Sequence, residues 1–237
     1  MKKIIIIIIV FSGIVSANAQ SIDAFFNKSD AFFKTNVSNG KVAYSKIHQN
    51  SNALNALLKI AEGISVSKND ANIYQAFWIN AYNLAVIKGI VDAYPTKSPL
   101  DQKGFFDKTL YNLGGGEITL NTIENKMLRA QFKDPRFHFV LVCGAVGCPP
   151  LISGAYLPNT LNKQLETQTR KAINGSFIKL NSKNKQVAVS QIMEWYKEDF
   201  TMNEATEIDF INTYRTNKIP NDFKVSYFPY DWNLNKQ

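Results

Sequence analysis

Histidine and cysteine are scarce in these 237 residues: two of each, at positions 48 and 138 and at 143 and 148. Two widely separated histidines and no H-E-x-x-H leave no ligand set for a protease-type zinc site, so neither a metal nor a cofactor is expected. G-x-G-x-x-G is absent. The glycine triplet Gly114-Gly115-Gly116 is not followed by Gly-Lys-Ser/Thr, which excludes a phosphate loop. There is no G-x-S-x-G elbow for a serine hydrolase. Basic blocks are missing too, although Lys and Arg exceed Asp and Glu by 27 to 19 for a formal charge of +8. Scattered lysines make a solvated surface that tolerates anionic envelope polymers or lipid headgroups, and nucleic acid is not an expected partner.

Long apolar runs are missing with one exception. Met1-Lys2-Lys3, the run from Ile4 to Val15 and Ala17-Asn18-Ala19 have the basic, apolar and small-residue parts of a secretory signal peptide. The run falls short of the roughly 20 residues of a membrane span. Cleavage after Ala19, no membrane span thereafter and a periplasmic or secreted location are therefore expected. In an oxidising compartment Cys143 and Cys148 are close enough in sequence for a disulfide, yet closing so short a loop adds little stability. Disulfide and free thiols both remain open.

What the chain does have is apolar and aromatic mass, 45% and 12%, enough for a well-packed core. Phe25, Phe26, Phe32 and Phe33 anchor an N-terminal helical extension over 20–41, ahead of a domain over 42–237. The strongest helix begins near Lys68-Asn69-Asp70 and ends at Tyr94 before Pro95. It is apolar on most sides, which predicts a central buried helix. Asn80 and Asn83, three apart, share one of its faces. Buried amides must find partners, so they either tie neighbouring loops to the helix or line a site as donors. Short strands are expected at 117–120, in a hairpin of 177–180 with 186–189, and near 225–228. The fold class is α+β: a single domain, mostly helical, with a small antiparallel sheet and a central buried helix.

The chemistry concentrates between Asp134 and Leu151, D-P-R-F-H-F-V-L-V-C-G-A-V-G-C-P-P-L. Phe137 to Val142 reads as a buried strand, and Pro149-Pro150 forces a turn. A thiol at the end of a strand, beside glycines with open backbone N–H groups, suits a nucleophile. It equally suits an inert core cysteine. His138 is the nearest histidine, but a straight strand would put it about 16 Å from Cys143 and on the opposite face, so a bulge or early turn is required. In the bland reading His138 is a core histidine, and Glu124 pairs with Arg136 to fasten helix to strand. His48, in H-Q-N-S-N, reads as an exposed surface residue.

Several blocks resemble the domain of unknown function 547 (DUF547) family: F-W-I-N-A-Y-N at 77–83, T-L-N-T-I-E-N at 119–125, D-P-R-F-H-F-V-L-V-C-G at 134–144, G-C-P-P-L at 147–151, W-Y-K-E-D-F at 195–200 and Y-D-W-N-L-N at 230–235. The family name confers no reaction. The resemblance puts core positions at Asn80, Asn83, Glu124, Arg136, Cys143 and Gly144, and its cysteine invites a papain- or transglutaminase-like thiol site. Many relatives have Ile-Glu-His where this chain has Ile123-Glu124-Asn125. An amide accepts no proton at neutral pH, so a base here would have to be His138.

Two readings follow. One is a cysteine-dependent hydrolase or transferase acting on an amide or ester bond of a peptide or envelope polymer. Cys143 would be its nucleophile, His138 its base and Glu124 the orienting acid, with Asn80, Asn83, Arg136, Gly144 and Cys148 binding substrate. The other is a non-catalytic envelope binding protein that retains the fold.

Overall fold

The computed structural model describes residues 21–237, so the expected signal peptide and its cleavage site lie outside the described residues. Helix α1 occupies 21–36, and its four phenylalanines are buried in the same core as the rest of the chain. A two-stranded turn, β1 (Val37–Ser38) with β2 (Lys41–Val42), leads to α2 (Tyr44–Gln49) and α3 (Asn52–Glu62). The long helix α4 (Ala71–Asp92) follows.

Asp70 starts α4 by accepting the Ile73 N–H at 3.0 Å, the ordinary work of an N-cap carboxylate. Sixteen of its 22 residues are buried. Such a helix has no polar face to give to water and must lie inside, where α2, α3 and residues 120–129 pack around it. Both buried asparagines bond to backbone. Asn80 Nδ2 donates to Tyr156 O at 2.7 Å and Asn80 Oδ1 accepts from Tyr156 N–H at 3.0 Å. Asn83 Nδ2 donates to Val140 O and Asn83 Oδ1 accepts from Val142 N–H, both at 2.9 Å.

These last two bonds explain a departure from expectation. Residues 135–142 are not a strand. Asp134 accepts the Arg136 N–H at 2.9 Å, and Pro135 has the fixed φ of a first helical position, so Pro135–Phe139 winds into a 3-10 turn. The apolar run is buried as a strand would be, but part of its backbone is satisfied by the Asn83 amide instead of a neighbouring strand.

The hairpin β3 (Tyr111–Leu113) with β4 (Gly116–Ile118) turns through Gly114 and Gly115, both at positive φ. A Cβ on Gly114 would lie 2.5 Å from the Trp78 ring. Beyond it, α5 (Leu120–Thr122) passes into a π-helical stretch, Ile123–Arg129, and then α6 (Ala130–Phe132). Helix α7 (Leu161–Ile173) packs on the 3-10 turn. The predicted hairpin is β5 (Ile178–Asn181) with β6 (Gln186–Ser190), antiparallel. Helices α8 (Gln191–Trp195), α9 (Lys197–Thr201) and α10 (Glu207–Tyr214) return the chain to β7 (Lys224–Phe228), which joins β6 in parallel. The fold is α+β, a single domain with small sheets, and its three-stranded sheet is mixed in direction. No helix of the described residues is long and apolar enough to cross a membrane.

Candidate active site: a thiol pair and a histidine–aspartate pair on one cavity

The C-terminal tail holds the cysteine loop in place. Val146 N–H donates to Asn233 O, Gly147 N–H to Asp231 O, and Asn235 N–H to Gly144 O, at 2.8–3.0 Å. Gly144 makes the tight turn possible: its φ is +84°, and a Cβ there would come within 2.3 Å of Ile90 Cδ1. The loop folds back so that the Cys143 and Cys148 sulfurs, both free thiols, are 2.6 Å apart. The Tyr230 hydroxyl lies 2.8 Å from each sulfur, and the Cys143 N–H donates to Cys148 Sγ at 3.0 Å.

This environment divides the two thiols. Burial pushes the Cys143 thiol well up, and the adjacent Cys148 sulfur pushes it further. Burial opposes ionisation of Cys148 as well, but donation from the Cys143 thiol, Tyr230 and the N–H groups of Ala145 and Cys143 outweighs it, and its pKa is lowered. The pair therefore loses its first proton more readily than an ordinary thiol does and holds the second more tightly. Burial, then the nearby sulfurs, keeps the Tyr230 phenol protonated and hence a donor.

A second group faces the same space. His138 Nε2 is 2.6 Å from Asp199 Oδ2, which also accepts from Arg129 Nε at 2.6 Å. With that oxygen accepting, the network assigns the proton to Nε2. The imidazole stacks on Tyr196 at 4.1 Å between ring centres, and the Arg129 guanidinium lies 4.5 Å from the same tyrosine ring. Burial would raise the Asp199 pKa, but the hydrogen bonds from His138 and Arg129, and their charges, bring it well below the ordinary carboxylate range. The Tyr196 hydroxyl bonds to Glu124, and burial followed by that carboxylate raises its pKa. Glu124 and Arg129 both lie in the π-helical stretch, a backbone feature frequent at functional sites.

Cys143, Cys148, His138 and Glu124 all line one cavity of about 220 Å³, closed in by Tyr82, Phe106, Leu141, Ile192, Tyr196, Tyr230, Trp232 and Trp195. A broader depression of about 390 Å³ elsewhere, beside Lys59, Lys88 and Asp92, has no thiol or imidazole in its wall. Among the described residues no cluster of three or more His, Cys, Asp or Glu side chains is placed to hold a metal ion.

Other residues singled out in the sequence lie apart from this cavity. Asn80 and Asn83 tie backbone to α4. Arg136 binds Asp134 through Nε and Nη2 and Asn162 through Nη1, with Glu166 at 4.0 Å, and does not pair with Glu124. Gly144 shapes the loop behind the sulfurs. Asn125 donates to Asn121 and accepts from Arg129, and it does not line the cavity. His48 is exposed, its Nδ1 2.9 Å from Val91 O, and it does not line the cavity. No hydrogen bond joins His138 to Cys143, and the carboxylate that orients the imidazole is Asp199, not Glu124. Sequence reasoning did not find Asp199, Arg129 or Tyr230. The only signal for two of them was their place inside W-Y-K-E-D-F and Y-D-W-N-L-N.

Comparison with known proteins gives one finding. A family model described as "Protein of unknown function, DUF547" matches residues 66–173, a span that includes α4, Glu124, His138 and both cysteines. Neither curated proteins nor solved structures give a match.

Proposed function

Residues 66–173 match the DUF547 family model, and from that match we propose that the chain is an exported thiol hydrolase or acyl-transfer enzyme acting on amide or ester bonds, with Cys143 as nucleophile. The observation that carries this reading is the half-buried Cys143 on the wall of a cavity that an Asp199-bound His138 also lines. In this reading the thiol pair supplies one thiolate, because Cys148 ionises more readily than an ordinary thiol and the Cys143 S–H lies 2.6 Å from its sulfur, close enough to pass its proton across. Cys148 is buried and Cys143 half-buried, so Cys143 makes the attack. As its sulfur bonds to the acyl carbon, its proton stays on Cys148. The carbonyl oxygen gains negative charge and accepts from the Tyr230 hydroxyl. His138 enters this step carrying a proton on the ring nitrogen that Asp199 does not use as well as on Nε2, gives that first proton to the departing amine or alcohol, and is left as neutral imidazole. It then takes a proton from the water or acceptor that cleaves the thioester.

With p-nitrophenyl acetate as the probe, wild type is expected to release one equivalent of nitrophenol in a burst before slower turnover. Cys143→Ser should remove the burst, and Cys148→Ser should slow it by depriving Cys143 of the neighbour that takes its proton. Iodoacetamide at pH 7 should label one thiol per chain, at Cys143, and abolish turnover. An unchanged burst in Cys143→Ser would overturn the assignment.

Export is part of the proposal and rests on the Lys2-Lys3, isoleucine-run and Ala17-Asn18-Ala19 pattern. The intact mass of protein recovered from the periplasm or medium should lack residues 1–19. A secreted or periplasmic chain still beginning at Met1, or a full-length chain that stays in the cytoplasm, would refute it.

A further inference from the structure

The protein as a whole is basic, with 27 Lys and Arg against 19 Asp and Glu, yet its reactive cavity is not. Among the described residues no Lys or Arg belongs to the cavity wall, and its one acidic side chain is Glu124. That carboxylate forms no ion pair within 4 Å among the described residues; its bond is to the Tyr196 hydroxyl, and Arg129 feels its charge from further off. Behind the wall, Arg129 is held in an ion pair with Asp199. A site for an anionic polymer would show the opposite sign.

The rest of the wall is aromatic. Tyr230 and Trp232 have ring centres 4.6 Å apart, Trp195 lies 5.2 Å from Tyr230 and 6.0 Å from Trp232, and Phe106 lies 6.2 Å from Trp232. These four rings form one continuous surface reaching from the thiol pair to the mouth, where Trp195 is 46% exposed. An indole that exposed beside a second indole has no packing reason to stay open to solvent, whereas ring faces attract cations through their quadrupole. Aromatic faces together with a carboxylate that no cation contacts directly form an arrangement that holds ammonium groups. The cavity, at about 220 Å³, is smaller than the roughly 300–1,000 Å³ of sites that enclose a drug-sized ligand. It suits a head group rather than a whole ligand.

We propose that Trp195, Trp232, Tyr230 and Phe106, with Glu124, form a binding site for a cationic ammonium head group, which places positively charged amine-bearing esters or amides as the substrate class. The substrate half rests on the thiol-enzyme reading; the binding half does not. Glu124 on this account is a specificity-determining residue.

The test separates the two. In the Cys143→Ser variant, which cannot form an acyl enzyme, choline is titrated against the fluorescence of Trp195 and Trp232, the third tryptophan, Trp78, being buried in the core. Saturable quenching is expected, with 3,3-dimethylbutanol, the neutral isostere, binding about tenfold more weakly, and with choline binding weakened about tenfold by Glu124→Gln or Trp195→Ala. In the wild type, acetylcholine should exceed 3,3-dimethylbutyl acetate in kcat/KM by about tenfold, and Glu124→Gln should bring the two towards parity. Equal binding of choline and its isostere, or a ratio unmoved by Glu124→Gln in a variant that folds normally, overturns the ammonium site. Choline binding without turnover of either ester keeps the site and removes the hydrolase. Turnover of both esters without preference keeps the hydrolase and removes the site.

Discussion

Asn83→Leu is expected to cost the fold about 2–6 kcal/mol, the largest loss we assign to any single side chain here. The reason is not the volume of the residue, which leucine nearly matches. The amide side chain serves two backbone groups in the interior, Val140 C=O and Val142 N–H, each at 2.9 Å. Leucine leaves both without a partner, and an orphaned buried polar group costs about 1–3 kcal/mol. Against a typical domain stability of roughly 5–15 kcal/mol, the loss is large enough to shift a urea midpoint well outside error. The same bonds fix the backbone that enters Cys143, so iodoacetamide should reach both cysteines of the variant under conditions where wild type takes one label. A urea midpoint within error of wild type would show that water or a loop shift re-satisfies the two groups.

That pair of bonds also marks where sequence stops being informative. Helix α4 was legible because a run apolar on all sides, capped by Asp70 and stopped before Pro95, has no other stable placement. The β5–β6 hairpin was legible because its turn carries a polar signal; of the β3–β4 hairpin only the second strand was expected, because three residues of β3 are too few to show a pattern. The segment 137–142 was not. A β-branched and aromatic run has the same composition whether it joins a sheet or lies against a buried helix. What decides is the partner of its backbone, and that partner is a side chain 57 residues earlier. The 3-10 turn is part of the same failure. In a strand, His138 and Cys143 point to opposite faces; the tighter turn, with a rise of about 2 Å per residue, lets both reach one cavity.

The reactive groups were legible one by one and not as an assembly. Both cysteines, His138 and Glu124 stand out by scarcity or by family block. Their partners do not: Asp199 is 61 residues from His138, and Tyr230 is 87 from Cys143. W-Y-K-E-D-F contains two acids, and nothing local says which one turns inward. The structure selects Asp199 because Tyr196, three residues before it, stacks on the imidazole and brings α9 alongside the 3-10 turn. Nor does the parallel pairing of β7 with β6 show in the short run that forms it, since register between distant strands is set by the packing of the helices between them.

Asp199→Ala is expected to lower turnover of an aryl ester by about 10²–10⁴-fold, the range in which positioned acid–base groups act. It does so through His138, not by contact with substrate, so Asp199 is a positioning residue. Without the carboxylate, the imidazole keeps its stacking on Tyr196 but loses the acceptor that fixes its proton on Nε2, and Arg129 loses its ion pair. The pH dependence of stability distinguishes this from general damage. The folded-state pKa of Asp199 is depressed below its unfolded value of about 3.9. Its contribution is therefore complete above that value and is lost as pH falls towards the folded one. At pH 7 two charge-assisted hydrogen bonds disappear in the variant. Each is worth roughly 1.5–3 kcal/mol when buried, and with the carboxylate and Arg129 only partly buried the net loss should be about 2 kcal/mol. Below about pH 3.9 the gap between wild type and variant should narrow by up to 1.4 kcal/mol per pH unit. Asp199→Asn should fall between the two, because its amide oxygen still accepts but carries no charge. Urea unfolding at pH 7 and at pH 3 measures the gap, and an equal gap at both pH values would remove the charge of Asp199 from the account of how His138 is held.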